Sequence, residues 1–107
     1  MPRQESHTTP KIVSGRLYTE DELTTGTVVD TPAWFAWLET AYTFYFESRL
    51  GTFTAHREQR QRGGHYWVAY RRYQGRLVRA HLGKSDHLTL NYLEETVLRL
   101  RTALQLP

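Results

Sequence analysis

The clearest pattern in the chain is an alternation of apolar and polar residues on both sides of a Gln-Gly pair. Residues 65–73 alternate in this way, and residues 76–82 repeat the pattern after Gln74 and Gly75. Period-two alternation is typical of a strand with one buried face, and Gln-Gly suits a tight two-residue turn. The pattern therefore predicts an antiparallel β-hairpin over residues 65–82.

Two further segments have strand character. Residues 42–46 are aromatic and β-branched, a composition that favours an extended chain over a helix. Residues 52–58 alternate between apolar and polar side chains and are followed by the polar stretch 59–64, which ends in two glycines. We expect these segments to join the hairpin in one sheet.

Two segments show helical periodicity. A short helix is predicted over about residues 32–40, because Pro32 suits the first helical position and follows a candidate N-cap, Asp30 or Thr31. A longer helix is predicted from Leu90 to about Leu104 with Thr89 as its cap. Its apolar residues recur at spacings of three and four, which is an amphipathic stripe: Leu90, Leu93, Val97, Leu100 and Leu104.

The first part of the chain has no comparable pattern. Residues 1–29 mix polar residues with scattered apolar ones, which predicts an irregular or disordered acidic leader that carries little core. Residues 30–107 are then expected to form a single α+β domain. Its predicted architecture is a small antiparallel sheet of three to four strands braced by the C-terminal helix, with the sheet-plus-helix unit at about 52–104 and a short N-terminal helix before it.

The alternation also divides the sheet into two faces. One face is apolar and includes small residues that let a helix approach closely, so we expect the C-terminal helix to pack on Phe53, Ala55, Trp67, Ala69, Val78, Ala80 and Leu82. The other face is rich in arginine and aromatic residues and is expected to point outward: Thr54, His56, Tyr66, Tyr70, Arg72, Arg79 and His81.

Charge is unevenly distributed along the 107 residues. The net charge is only +3, but residues 49–84 hold nine basic residues, eight of them arginine, against the single acid Glu58. That segment has a local charge of +8, whereas residues 1–48 carry −4 and residues 85–107 carry −1. Arginine is well suited to phosphates and guanine edges because its planar fork donates two parallel hydrogen bonds. The predicted hairpin therefore lies in a basic segment suited to nucleic acid.

Several functional classes are disfavoured by composition. The chain has no cysteine, which excludes disulfides, thiolate metal sites and a cysteine nucleophile. No apolar run approaches the roughly 20 residues of a membrane span, and no secretory signal is visible at the N-terminus. We therefore expect a cytoplasmic protein without a membrane partner.

Enzymatic chemistry is also not indicated. Ser85, Asp86 and His87 are adjacent, so they cannot aim at one another as a catalytic triad does. The five histidines show no metal-ligand spacing, although His56, His65 and His81 could approach one another across neighbouring strands. We expect no catalytic residues, no metal and no cofactor.

The order of these motifs resembles known DNA-binding domains. The run from Tyr66 to Arg72, the turn at Gly75, the run from Leu82 to Leu90 and the helix that follows resemble the three-stranded-sheet-plus-helix fold. That fold is shared by the arm-site-binding domains of tyrosine integrases and by ethylene-response-factor domains. The resemblance implies a sheet that enters the DNA major groove. Recombinase activity is not implied, because 107 residues cannot include the integrase catalytic domain.

A second resemblance covers more of the chain. Residues 31–38, 51–55 and 66–90 are similar to the segment that precedes the ATPase module in some bacterial LuxR-type, MalT-like transcriptional regulators. This resemblance implies a link to transcriptional regulation.

The main functional hypothesis is a non-enzymatic module that binds double-stranded DNA. The residues expected to face the groove are Tyr66, Tyr70, Arg72, Arg79 and His81. The residues expected to contact phosphates are Arg57, Arg60, Arg62, Arg76 and Lys84.

An alternative hypothesis is a protein-interaction or dimerisation module. It depends on an aromatic patch around Trp34 and Trp37. Many aromatic residues lie close together there, and two roles are open for them. These rings could pack in the core, or they could form a surface for a protein partner or a second copy of the chain.

Overall fold

The structure is a computed structural model that describes residues 9–19, 26–59 and 61–105. Seven strands and two α-helices follow one another in this part of the chain, with a short 3₁₀ turn at Ser85–His87 before the last helix. The elements are β1 (Lys11–Val13), β2 (Arg16–Tyr18), β3 (Thr27–Val28), α1 (Pro32–Leu38), β4 (Thr43–Ser48), β5 (Gly51–Gln59), β6 (His65–Tyr73), β7 (Arg76–Gly83) and α2 (Leu90–Leu104).

All seven strands belong to one mixed sheet with the order β3-β2-β1-β4-β5-β6-β7. Neighbouring strands are antiparallel except β1 and β4, which are parallel. The α+β class is confirmed, but the prediction of a small antiparallel sheet of three to four strands is wrong. The sheet is larger because β1, β2 and β3 come from the segment that we expected to be irregular.

The N-terminal strands contribute to the core despite their short length. Ile12 and Leu17 are fully buried and face each other across β1 and β2, and Val29 after β3 is also buried. A turn at Ser14 and Gly15, both with positive φ, joins β1 to β2. Strands of two or three residues are too short to show a periodic pattern, which is why the sequence did not reveal them.

The predicted hairpin is confirmed as β6 and β7. Tyr73 pairs with Arg76 across the turn, and Gln74 and Gly75 have φ values of 50° and 82°. Positive φ at both central residues is the geometry that matches the twist of the flanking strands. An irregularity at Trp67 and Val68 shifts the register of the two strands near the end of the hairpin.

Both predicted helices are present with side-chain N-caps. The Thr31 hydroxyl accepts a hydrogen bond from the Trp34 backbone N–H at 3.4 Å, and the Thr89 hydroxyl accepts one from Tyr92 N–H at 3.2 Å. Asp30, the other cap candidate for α1, instead accepts a hydrogen bond from the Leu90 N–H at 2.9 Å. The carboxylate therefore connects the start of α1 to the start of α2.

Both helices contribute to one apolar cluster with the inner face of the sheet. This cluster includes Trp34 and Leu38 from α1 and Leu93, Val97 and Leu100 from α2. The sheet contributes the buried residues Phe44, Phe46, Phe53, Ala55, Trp67, Ala69 and Leu82. Ala55 and Ala69 lie opposite each other in β5 and β6, so small side chains form the middle of the inner face.

The opposite side of β5, β6 and β7 is not covered by either helix. We call it the helix-free face, and the alternation of side chains assigns it Thr54, His56, Glu58, Tyr66, Val68, Tyr70, Arg72, Leu77, Arg79 and His81. Neither helix in the described part of the chain is long and apolar enough to cross a membrane.

The buried N-terminal strands lead to a stability prediction. Ile12→Ala removes a fully buried side chain from the shared core, so we expect the free energy of unfolding to fall by about 2–5 kcal/mol, measured by urea denaturation. Lys11→Ala, at the exposed neighbouring position, should change it by less than about 0.5 kcal/mol. Equal losses in the two variants would show that β1 does not contribute to the core.

Candidate nucleic-acid interface

The structure brings together all five residues that were predicted to face a DNA groove. Tyr66, Tyr70 and Arg72 lie on β6, and Arg79 and His81 lie on β7, all on the helix-free face. Arg79 is directly opposite Tyr70, with its guanidinium carbon 5.5 Å from the centre of the tyrosine ring. The Arg79 side chain is 61% exposed, so it is available to a ligand.

Glu58 also lies on this face, although the sequence did not mark it as a functional residue. It lies opposite Tyr66 in the pairing of β5 and β6, and its carboxylate accepts hydrogen bonds from two tyrosine hydroxyls. Tyr66 donates to Oε1 at 3.0 Å, and Tyr70 donates to Oε2. Arg79 Nη2 lies 3.8 Å from Oε1. The alternation of residues 52–58 would have placed Glu58 on this face, but no motif marks its hydrogen bonds.

The two tyrosines and Glu58 form a packed layer rather than separate exposed side chains. Val68 lies between Tyr66 and Tyr70 on the same face and is only 1% exposed, although neither helix of the described residues covers that side. The His56 ring is 5.5 Å from that of Tyr70, and the His81 ring is 5.3 Å from that of Tyr66. These contacts hold the aromatic rings in defined positions, which limits the ordering needed on binding.

The hydrogen bonds within this layer set the charge at its centre. The hydroxyls of Tyr70 and Tyr66 lower the pKa of Glu58 below its usual value of 4.5, and the nearby Arg79 and His56 act in the same direction. The hydrogen bond to Glu58 in turn raises the pKa of Tyr70. Glu58 is therefore ionised and Tyr70 is neutral near pH 7.

A shallow open cleft adjoins this layer near the β6–β7 turn. It has a volume of about 400 Å³ and is lined by Thr54, His56, Tyr70, Arg72 and Leu77. Leu77 is 53% exposed and lies opposite Arg72 in the hairpin. The cleft combines an arginine with apolar and aromatic surface, which suits the edge of a planar heterocycle.

The residues predicted to contact phosphates are not brought together in the same way. Arg57 lies on the inner side of β5, where its Nη1 donates to the backbone oxygens of Leu38 at 3.3 Å and Glu39 at 3.1 Å. Its guanidinium also lies 4.7 Å from the centre of the Tyr42 ring. Arg57 therefore contacts the C-terminal end of α1, and its role as a phosphate ligand stays a prediction.

Arg76 has a similar role at the end of α2. Its guanidinium donates to the backbone oxygens of Leu104 at 3.4 Å and Ala103 at 3.3 Å, which fastens the β6–β7 turn to the helix. A cation at this position also interacts favourably with the helix dipole. From the sequence, Arg76 is only a basic residue beside a turn. Its contact with α2 could not be predicted because the partner residues are 27 and 28 positions away.

The other three predicted phosphate ligands differ in their surroundings. Arg62 is exposed in the loop between β5 and β6, and Arg60 lies outside the described residues. Lys84 is exposed after β7 and borders a cleft of about 650 Å³ that also contains Glu39 and Asp86. The same cleft is lined by Arg57 and His65, so acidic and basic groups are mixed there.

The aromatic patch proposed as a partner surface is largely internal. Trp34 is fully buried, and its indole Nε1–H donates to the Leu88 backbone oxygen at 2.8 Å. Trp37 is partly buried and stacks on Trp34 with ring centres 5.7 Å apart. The prediction of Trp34 as a partner-binding residue is wrong because the core and the chain before α2 enclose its ring.

The histidines of the described residues do not form a metal site. No three His, Asp or Glu side chains within residues 9–19, 26–59 and 61–105 lie close enough to hold a metal ion. His56 and His81 both pair with Val68 on the helix-free face, whereas His65 belongs to the opposite alternation of β6. The three histidines therefore do not converge.

No family model, curated protein or solved structure matches this chain.

The hydrogen bonds to Glu58 predict a pH effect on stability. Because folding lowers the Glu58 pKa, its stabilising contribution is complete above about pH 4.5 and is lost as the pH falls through the lower folded value. Between pH 6 and about pH 3, the melting temperature of the wild type should therefore fall more than that of Glu58→Gln. Glu94→Gln, on the exposed side of α2, should keep the wild-type slope. Parallel curves for Glu58→Gln and the wild type would contradict the assignment.

The contact between Arg76 and α2 predicts a structural effect. Arg76→Ala should lower the free energy of unfolding by about 0.5–1 kcal/mol in urea denaturation, because the last carbonyls of α2 lose a cationic partner. Arg62→Ala removes the same charge from an exposed loop and should leave stability within about 0.5 kcal/mol of the wild type. An unchanged stability of Arg76→Ala would show that the turn is not fastened in this way.

Proposed function

We propose that this chain is a non-enzymatic module that binds double-stranded DNA through the helix-free face, in a cytoplasmic protein linked to transcriptional regulation. The observation that carries the proposal is that Tyr66, Tyr70, Arg72, Arg79 and His81 share the face that neither helix covers. The strands would then pack against the core with one face and bind the ligand with the other.

The chemistry of this face matches the exposed groups of a DNA duplex. Arg72 and Arg79 can donate paired hydrogen bonds to guanine O6 and N7 or to phosphate oxygens. The rings of Tyr66 and Tyr70 offer flat surfaces to sugars and thymine methyl groups. Leu77 adds exposed apolar surface beside Arg72.

The position of the hairpin in the sheet also supports this function. β7 is at one edge of the sheet and β6 is next to it. The major groove is about 12 Å wide and admits a two-stranded β-ribbon. The β6–β7 ribbon can therefore approach the base edges while the N-terminal strands remain outside the groove.

The β6–β7 hairpin is held by hydrogen bonds to α2 on the inner side of the sheet. Arg76 fastens its turn to the end of α2, and Tyr92 of the same helix donates to the His81 backbone oxygen at 3.4 Å. A binding surface on braced strands loses less conformational entropy on association than a loop does. The two ends of the hairpin are thus positioned before any ligand arrives.

The proposal is tested by duplex binding across a salt titration. The full chain should bind a mixed-sequence duplex, with an affinity that falls as salt rises because each neutralised phosphate releases counterions. Arg72→Gln should weaken binding by about 5- to 150-fold, as expected for loss of about 1–3 kcal/mol at an arginine–guanine contact. Fluorescence anisotropy with a labelled duplex measures both effects.

Arg101→Gln is the matched control, because it removes the same charge from α2 on the opposite side of the sheet. It should bind DNA within about twofold of the wild type, as expected for a charge outside the interface. Absent binding by the wild type, or equal losses in the two variants, would exclude the helix-free face as a DNA-binding surface.

A further inference from the structure

The acidic residue Glu58 lies among the residues of the proposed DNA-binding surface. It is the only acid in residues 49–84, and it contacts Tyr66, Tyr70 and Arg79, all three of which are expected at the DNA interface. A carboxylate repels phosphate groups, so this part of the face is unsuited to the DNA backbone. Its partner in a duplex must instead be a hydrogen-bond donor.

The Glu58 carboxylate has capacity for such a donor. An ionised carboxylate offers about four acceptor positions, of which the two tyrosine hydroxyls occupy two. The side chain is 33% exposed on the helix-free face, so one side of it is open to a ligand. The tyrosines hold both carboxylate oxygens, which gives the acceptor a fixed position.

Arg79 supplies the complementary group next to this acceptor. Its Nη2 is 3.8 Å from Glu58 Oε1, so an acceptor and a donor lie side by side on the same face. The major-groove edge of a C·G base pair presents the reverse arrangement, with a cytosine N4 amino donor beside the guanine O6 acceptor. Glutamate accepts from cytosine N4, and arginine prefers guanine O6 and N7.

We infer that Glu58 and Arg79 together read one C·G base pair in the major groove, with Glu58 as the specificity-determining residue. This inference rests on the proposed function. Glu58 excludes phosphates from this part of the interface and makes binding depend on an exocyclic amino group. Tyr66 and Tyr70 are positioning residues that orient its carboxylate.

The inference is tested by selecting duplexes from a randomised pool with the full chain and then titrating single-position changes. The wild type should select C·G at one position, and replacing that pair should weaken binding by about tenfold. Glu58→Gln should shift the preference at this position toward adenine, because a glutamine amide pairs with adenine N6 and N7. Glu94→Gln, which removes the same charge from α2, should keep the wild-type preference.

A modified duplex provides a test that needs no variant. Replacing the selected guanine by 7-deazaguanine removes N7 and should weaken wild-type binding by about fivefold or more if Arg79 reads that base. If Glu58→Gln fails to fold, which thermal unfolding followed by circular dichroism reveals, this measurement still tests the Arg79 contact on which the paired readout depends.

The outcomes separate this inference from the proposed function. If the wild type binds no duplex, the proposed function fails and the inference fails with it. If the wild type binds but selects no C·G pair, only the inference is overturned. An unchanged C·G preference in folded Glu58→Gln, or unchanged wild-type binding to the 7-deazaguanine duplex, also overturns the inference alone.

Discussion

The packing of both helices on one face of the sheet is the constraint on which the other features depend. Trp34 from α1 and Leu93 and Val97 from α2 share one apolar cluster with the inner residues of the strands. The indole of Trp34 also donates to the backbone before α2, and Asp30 accepts from the first N–H of that helix. Because apolar burial is satisfied on this side, the polar and aromatic residues of the same strands face outward.

The helix-free face has an organisation of its own. Val68 is buried there beside two tyrosines whose hydroxyls meet at the Glu58 carboxylate. Val68 is 1% exposed although neither described helix packs on this side; His56 and His81 lie opposite it in the neighbouring strands. The surface formed by this basic segment therefore has a hydrogen-bond acceptor, the Glu58 carboxylate, at its centre. The +8 charge of residues 49–84 therefore does not describe a uniformly basic surface, since Arg57 and Arg76 cap helices instead.

Most of the elements after residue 30 could be predicted from local signals. The alternation of residues 65–82, the leucine spacing of residues 90–104 and the threonine caps each report on neighbouring residues, and the structure agrees with them. Strands β1 to β3 could not be predicted, because two or three residues are too few to show a period. They form because β4 offers an unpaired edge to β1 and the core accepts Ile12 and Leu17.

The amino-acid sequence by itself determined the hairpin, the amphipathic helix and which residues share each face of a strand, because these depend on periods of two and 3.6 residues. Only the tertiary structure decided the partners of individual side chains. Arg57 on β5 and Arg79 on β7 both belong to the basic segment, yet one caps α1 and the other lies exposed beside Glu58. Their roles differ because the alternation directs the two side chains to opposite faces of the sheet. Each then contacts residues that are distant in sequence: the end of α1 for Arg57 and Glu58 for Arg79.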